Sequence, residues 1–420
     1  MTDLTKRQML AGAVAATAAL SAGRAAAQVA DRKQLDRSLY PGPGLPGGGQ
    51  LEVRMVATAW DIPDRDAIEF AERLKPFDPE SWYQENTRLA ERNAERAEHF
   101  LTTGRYVTAG EYHLRATGYY RNAVLYLPVS DDRMLPAYRK LQDSHAKAWS
   151  ILPPPFEVVQ IPYEGRRLRG HFFAAHGAPG QKLPVVFNYG GADGILLNAA
   201  PDGNSGFFRA RGMSYLDVDG PGQGAPLRFD KLYSPPDVER FGKAITDYLK
   251  SRADVDPKRI GFHGSSMGGY YAPRCATVND DIAAVAVWSG AYRLQRDIYD
   301  YYPPIRERLR WLIGASDYTD ARRRFADFTL DGIAQKIRCP LLVGYGSQDR
   351  VMDPHGAFDL YAAASGSANR TMIDGVGHQD RKYELRTYLA DWMAVQLRSL
   401  PEKGQRIKGS FGGPQSAPIE

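Results

Sequence analysis

Two glycines, Gly264 and Gly268, flank a serine in the run Gly264-Ser265-Ser266-Met267-Gly268-Gly269. The pattern G-x-S-x-G requires a sharp turn in which neighbouring side chains have almost no room, and a glycine on each side supplies that room. Chance alone produces the pattern often, so its surroundings decide. Arg259 to His263 reads as a short buried strand. Tyr270 to Thr277 continues as a helix, with Pro273 expected in its first turns, where a missing N–H costs least. Strand, tight turn and helix in that order make Ser266 a candidate nucleophile.

The rest of the chain divides by texture. From Ala67 to Ser150 apolar residues recur at helical spacing, through Trp82, Leu89, Ala94, Ala97 and Phe100, and then through Tyr112, Ala116, Tyr119, Tyr120 and Ala123. Gly104 separates these two helices, and Met134 to Trp149 predicts a third. Pro153-Pro154-Pro155 is a stiff boundary. Beyond it, strand-like runs alternate with helices. The strands are Phe156–Pro162, Leu168–Ala175, Val185–Tyr189, Met213–Val218, Ile260–His263, Ala283–Trp288, Leu341–Tyr345 and Arg370–Ile373. Val238–Arg252 and a closing Tyr383–Leu397 read as helices. The alternation predicts an α/β domain with a mostly parallel, doubly wound sheet over 153–400, preceded by a helical cap over 65–152. Residues 29–64 read as an irregular Gly/Pro-rich arm and 401–420 as a loose tail.

A serine hydroxyl needs a base to take its proton and a third group to orient that base. Asp349 follows the Leu341–Tyr345 strand and His378 follows the Arg370–Ile373 strand, so both fall where open α/β sheets build their sites. Asp353 and Asp374 are rivals for the acid, and His263 and His355 for the base. His263 lies inside a strand and reads as a core residue, whereas His355 comes too soon after Asp349 to occupy a separate strand end. The developing oxyanion needs N–H donors. Met267, just after the serine, is one candidate, and Gly191 or Ala192, after the Val185–Tyr189 strand, is the other. Asp219-Gly220-Pro221-Gly222-Gln223-Gly224 lacks the lysine of a phosphate loop and reads as a wall of the site. No His, Cys, Asp and Glu grouping has metal-ligand spacing, so neither a metal nor any other cofactor is expected.

Composition sets bounds. The 420 residues carry a net charge of +5. Their densest basic stretch, Arg306 to Arg324, is interrupted by Trp, Leu and Asp, which reads as a solvated helix face. A nucleic-acid partner is not expected, and neither is a membrane span. Cys275 and Cys339 read as small buried apolar residues. Residues 1–28, with Lys6-Arg7 before a mild apolar stretch and Ala25-Ala26-Ala27, read as a twin-arginine-like export signal. That places the mature chain in a periplasm or outside the cell, or in the cytoplasm if the leader is not functional.

These motifs resemble the α/β-hydrolase superfamily over about residues 156 to 398. A narrower likeness rests on Gly110-Glu111, Ala116, Tyr119-Tyr120 and Ala123, on Asp217 to Gly224, and on Gly264 to Tyr270. It is similar to a subfamily holding 2,6-dihydropseudooxynicotine hydrolases, fermentation–respiration switch proteins and fungal hydrolases that shorten pigment polyketides. The resemblance implies a catalytic triad of Ser266, Asp349 and His378. It also implies cleavage either of an ester or of a carbon–carbon bond next to a ketone, in a small-molecule substrate. An export signal departs from the pattern of these mostly cytoplasmic relatives. Aromatic residues between Tyr292 and Lys336, with Trp82, Tyr119 and Tyr120, either wall an aromatic pocket or pack two domains together. On the first reading Trp82, Tyr119, Tyr120 and Tyr292 bind substrate. A regulatory protein on a hydrolase scaffold and a serine peptidase are the alternative readings, and a homodimer is left open.

Overall fold

The computed structural model describes residues 64–400 apart from 76–77, 126, 128–129, 200–202, 376, 379–382 and 399. The expected leader, nearly all of the arm and the tail lie outside the described residues.

Four helices come first: α1 (Asp64–Arg73), α2 (Pro79–Thr102), α3 (Tyr106–Leu125) and α4 (Met134–Ile151). Asp78 starts α2 by accepting from the backbone N–H groups of Glu80 (3.0 Å) and Ser81 (3.2 Å). Pro79 takes the first helical position, where its missing N–H would have no partner. Along α2 the buried residues Trp82, Asn86, Leu89, Asn93 and Ala97 recur every three or four positions and form one stripe. The second half of the middle helix, α3, is enclosed on all sides, and every residue from Ala116 to Val124 is buried.

The sheet follows. Its strands are β1 (Glu157–Tyr163), β2 (Arg166–Phe173), β3 (Leu183–Tyr189), β4 (Ser214–Val218), β5 (Val255–Ser265), β6 (Ile282–Trp288), β7 (Leu341–Gly346) and β8 (Arg370–Gly375). Their spatial order is β1-β2-β4-β3-β5-β6-β7-β8. The β1–β2 and β2–β4 pairs are antiparallel and the others are parallel. The chain winds outward from β3 to β4 and then crosses back to place β5 on the other side of β3. The direction of winding therefore changes between β3 and β5, and a crevice opens at their carboxyl ends.

Alternation along β3 shows how the sheet is covered. Val185, Phe187 and Tyr189 join the core beneath α7 (Glu239–Ser251) and α8 (Gly268–Ala276), while Val186 joins the core beneath α5 (Ser205–Arg209) and α12 (Tyr383–Gln396). Between β4 and α7 lies the short α6 (Gly224–Asp230). The stretch from Tyr292 to Lys336 folds into a π-helical segment (Gln295–Asp300), α9 (Arg306–Leu312) and α10 (Tyr318–Phe325), and α11 (His355–Ala363) follows β7. A third core belongs to the helical cap. It takes in Ile195 and Leu197 from the loop after β3, with Phe229 and Trp311 packed against it.

Strand limits match the sequence reading to within two residues at each end, except in β5. β2 begins at Arg166 and ends at Phe173. β5 runs from Val255 to Ser265, longer than expected, because it pairs with β3 on one side and β6 on the other across a register shift at each. Pro273 lies in the second turn of α8. Part of the basic run on α9 and α10 pairs with its own acids, Arg310 with Glu307 and Arg324 with Asp320. Cys275 is buried, Cys339 is half-buried, and both are free thiols. No helix of the described residues is long and apolar enough to cross a membrane.

Candidate active site

Ser266 follows β5 directly and has a φ of 58°, in the left-handed region that a side chain disfavours. Its N–H donates to the Trp288 carbonyl (3.1 Å) and its carbonyl accepts from the Gly269 N–H (2.7 Å), so both sides of the turn are fixed. The flanking glycines follow from contact. A side chain at Gly264 would collide with the Gly268 carbonyl, and one at Gly268 with the Tyr189 carbonyl. This is the strained turn that the sequence demanded, and it presents the Ser266 hydroxyl at the carboxyl edge of the sheet.

His378 stands between two partners. Its Nε2 lies 3.2 Å from Ser266 Oγ and its Nδ1 lies 2.8 Å from Asp349 Oδ2. A carboxylate only accepts, so the Nδ1–H donates to Asp349 and the Nε2 lone pair faces the serine hydroxyl. Asp349 is 2% exposed. Its Oδ1 accepts from the N–H groups of Val351 and Met352 (2.8 Å each) and its Oδ2 also accepts from the Ser289 hydroxyl (2.9 Å). The Tyr301 hydroxyl donates to the Asp349 carbonyl (2.9 Å), which ties the segment after β6 to the acid's loop.

Ser266, Ser289, Asp349 and His378 follow β5, β6, β7 and β8, four neighbours in the sheet. Sequence reasoning missed Ser289. Its only signal there was its position just past a strand end, which it shares with the other three.

The rivals pair elsewhere. His263 Nδ1 meets the Ala286 carbonyl at 3.0 Å. Burial pushes this histidine's pKa down to about 4, so it is a neutral core residue. His355 Nδ1 meets Asp353 Oδ1 at 2.7 Å, which removes acid and base rivals together.

The loop after β3 closes over the serine. A Cβ on Gly191 would stand 2.8 Å from Ser266 Cβ and 3.2 Å from its Oγ, so only glycine allows this approach. Gln223 Nε2 donates to the carbonyls of Gly190 (2.7 Å) and Gly191 (2.9 Å). In a trans peptide the N–H points opposite to the C=O, so Gln223 turns the N–H groups of Gly191 and Ala192 away from itself. Ala192 is buried. Met267 caps α8, and its N–H precedes the intrahelical ladder and is not consumed by it. The wall loop is held by Asp219, whose oxygens accept from the N–H groups of Leu196 (2.7 Å) and Ala225 (3.3 Å). Burial raises its pKa to about 6, because a charged carboxylate is disfavoured out of water.

The structure corrects the substrate-binding reading of the aromatics. Trp82 is 1% exposed, edge-on to Phe70 at 5.2 Å, and its indole N–H donates to the Asn122 carbonyl (2.8 Å). Tyr119 is equally buried and gives its hydroxyl to Asp66 (2.9 Å). Tyr120 belongs to the same cap core, with Glu91 and Glu95 of α2 as its charged neighbours. Tyr292 lies under the Arg293 guanidinium, 5.0 Å from its ring centre, and its hydroxyl turns to Asp331. Trp82, Tyr119 and Tyr120 pack the cap, because aromatic residues at helical spacing serve a core first, and Tyr292 packs the core beneath α7 and α8. Among the described residues no group of three or more His, Cys, Asp or Glu gathers in a way that would hold a metal ion.

No protein-family model matches the chain. Hydrolase LUC6 of a Fusarium species is 28% identical over 344 residues, covering 71% of this chain and 82% of the relative. The α/β hydrolase psoB of Aspergillus fumigatus is 30% identical over 350 residues, covering 69% of this chain and 76% of the relative. Among solved structures, that of a 2,6-dihydroxy-pseudo-oxynicotine hydrolase superposes with a TM-score of 0.68 at 23% identity, covering 83% of this chain and 95% of that one. That last likeness is one of fold. The relatives' identity and coverage, with the strand order and the elbow beneath them, establish the family: the chain belongs to the α/β-hydrolase superfamily and is an enzyme of the hydrolase class.

Proposed function

We propose that the chain is a serine hydrolase acting through an acyl-enzyme. The observation that supports this best is the position of His378, with its two ring nitrogens 3.2 Å from Ser266 Oγ and 2.8 Å from Asp349 Oδ2. His378 Nε2 takes the Ser266 proton as Oγ attacks a carbonyl carbon. The oxyanion is met by the Met267 N–H and by the Gly191 or Ala192 N–H. His378 then protonates the leaving group, and the acyl chain stays on Ser266. Water, deprotonated by the same imidazole, releases the acid and restores the serine.

The substrate class is an activated carbonyl compound of small to medium size, either an ester or a ketone cleaved at the adjacent carbon–carbon bond. Relatives named as hydrolases support the class of reaction. The test compares wild type with Ser266→Ala on a p-nitrophenyl ester panel and a β-diketone. The expected result is loss of turnover and of fluorophosphonate labelling in a variant that melts like wild type. Turnover retained in Ser266→Ala overturns the proposal.

A further inference from the structure

Three arginines from three elements gather beside the loop that faces Ser266: Arg121 of α3, Arg228 of α6 and Arg308 of α9. Arg121 Nη2 donates to the Asp193 carbonyl (3.4 Å), and Arg308 Nη1 stands 3.4 Å from Asp193 Oδ1. Asp193 is two residues past Gly191. Arg228 lies just over one helical turn past Gln223, the residue that pins Gly190 and Gly191, and its Nη1 donates to the Gly224 carbonyl (3.0 Å).

Arg228 is 7% exposed. Its guanidinium carbon lies 4.8 Å from the ring centre of Tyr138 and 5.0 Å from that of Trp311. The aromatic faces favour a flat, delocalised cation and leave its edge as the direction from which a ligand can approach. On that edge Nε and Nη2 are buried and have no hydrogen-bond partner, and the buried Tyr138 hydroxyl beside it has none either. Asp219 is the buried carboxylate nearby, but backbone N–H groups already occupy both its oxygens. The cluster sets three guanidiniums against the carboxylates of Asp193 and Asp219, one positive charge in excess. Burial pulls the Arg228 pKa down to about 10, the mark of a charge held out of water. A buried cation with two unmatched donors destabilises a fold unless an anion meets it. Nε and Nη2 are the adjacent, parallel donors that grip a planar anion two-pronged.

We propose that the Nε and Nη2 edge of Arg228 binds a planar anionic group of the substrate, a carboxylate or an ionised β-diketone, with Arg308 adding charge and the Tyr138 hydroxyl a further donor. The inference rests on the Ser266 reading and narrows it: the substrate carries a delocalised negative charge in addition to the carbonyl under attack.

The experiment follows fluorophosphonate labelling of Ser266 in the full chain, in the presence of 3-phenylpropanoate or its neutral amide. The acid is expected to slow labelling and the amide is not. In Arg228→Met, protection should require at least about tenfold more acid, and Arg308→Met should weaken it less. Benzoylacetone, titrated across its own ionisation, separates the two anions: protection that grows as it ionises identifies the diketonate, and protection by the carboxylate alone identifies the acid. Equal protection by acid and amide, or unchanged protection in Arg228→Met, overturns the inference. If Arg228→Met does not fold, Arg228→Lys keeps the charge and loses the two-pronged edge, and undiminished protection there overturns it equally. If wild type does not label at all, the Ser266 reading fails and the arginine site is read from Tm instead. A rise with 3-phenylpropanoate in wild type, absent in Arg228→Met, sustains the site; no rise overturns it.

Discussion

Ser289 places its hydroxyl 2.9 Å from Asp349 Oδ2, the same oxygen that meets His378 Nδ1 at 2.8 Å. It also lies 3.3 Å from that Nδ1. The serine is held at a φ of 53° and is 2% exposed, so this hydroxyl is set in place by a strained backbone. It fixes the direction of the carboxylate and, through it, of the imidazole.

Removing that hydroxyl is expected to lower kcat about tenfold with little change in KM, the scale of one hydrogen bond to a charged group. Ser289→Ala and Ser289→Gly should be equally slow. The glycine variant should be the more stable by about 1 kcal/mol, because glycine adopts a positive φ without strain. Steady-state kinetics and denaturant melts of the two variants check the pair. Equal stability would remove the argument from strain.

Gln223 is expected to act through the loop it holds. In Gln223→Ala the peptide groups of Gly190 and Gly191 lose their tether, and kcat should fall on the order of 10²-fold, as when an oxyanion donor is lost. Gln223→Glu offers those carbonyls no donor when ionised and should be slower still. Wild-type kcat in Gln223→Ala would show that the loop holds its shape unaided.

Neighbouring glycines should respond differently to the same change. At Gly191 a methyl group would stand 2.8 Å from Ser266 Cβ, whereas at Gly190 the nearest heavy atom would be 3.5 Å away, at ordinary contact distance. Gly191→Ala should therefore abolish labelling of Ser266 while the chain stays folded, and Gly190→Ala should label at near the wild-type rate. Labelling rates with circular dichroism on both variants test this.

Stability should fall in mild acid because of two stacked histidines that join cap to sheet. His145 on α4 and His171 on β2 have ring centres 5.6 Å apart, and Phe156 stacks on His171 at 3.8 Å. Burial pushes their pKa values down from 6.5, to about 4 for His145 and about 2 for His171. The folded state keeps both neutral while the unfolded chain takes up protons below pH 6.5. Their contribution is therefore present above that pH and is lost progressively as pH falls toward the folded-state values. Each contributes up to about 1.4 kcal/mol per pH unit in that window. His171→Phe keeps an aromatic ring in the stack and removes one titration, so urea melts at pH 7 and pH 5 should differ less in the variant than in wild type. An unchanged difference would place the acid sensitivity elsewhere.

Much of the sheet was legible in the sequence because strands such as β3, β6 and β7 are short apolar runs bounded by glycine, proline or polar residues. Ser266, Asp349 and His378 were legible for a related reason, since each follows such a run. The packing of the cap aromatics was not. Trp82 and Tyr119 carry the composition of a pocket, yet their spacing is that of a helix stripe, and core packing took them. Arg228 and Gln223 gave no periodic signal, because their roles come from contacts between loops distant in the chain. Of the helices after Tyr292 only the basic face from Arg306 to Arg324 was legible, since their apolar residues pack against several elements at once and follow no single period.

The cap's hydrophobic core includes Ile195 and Leu197, which belong to the loop walling the serine. Swinging the four helices away as a lid would strip both side chains out of that core, at about 1.5–3 kcal/mol each. The cap and the backbone facing Ser266 thus share one core, and a substitution that loosens either loosens the other.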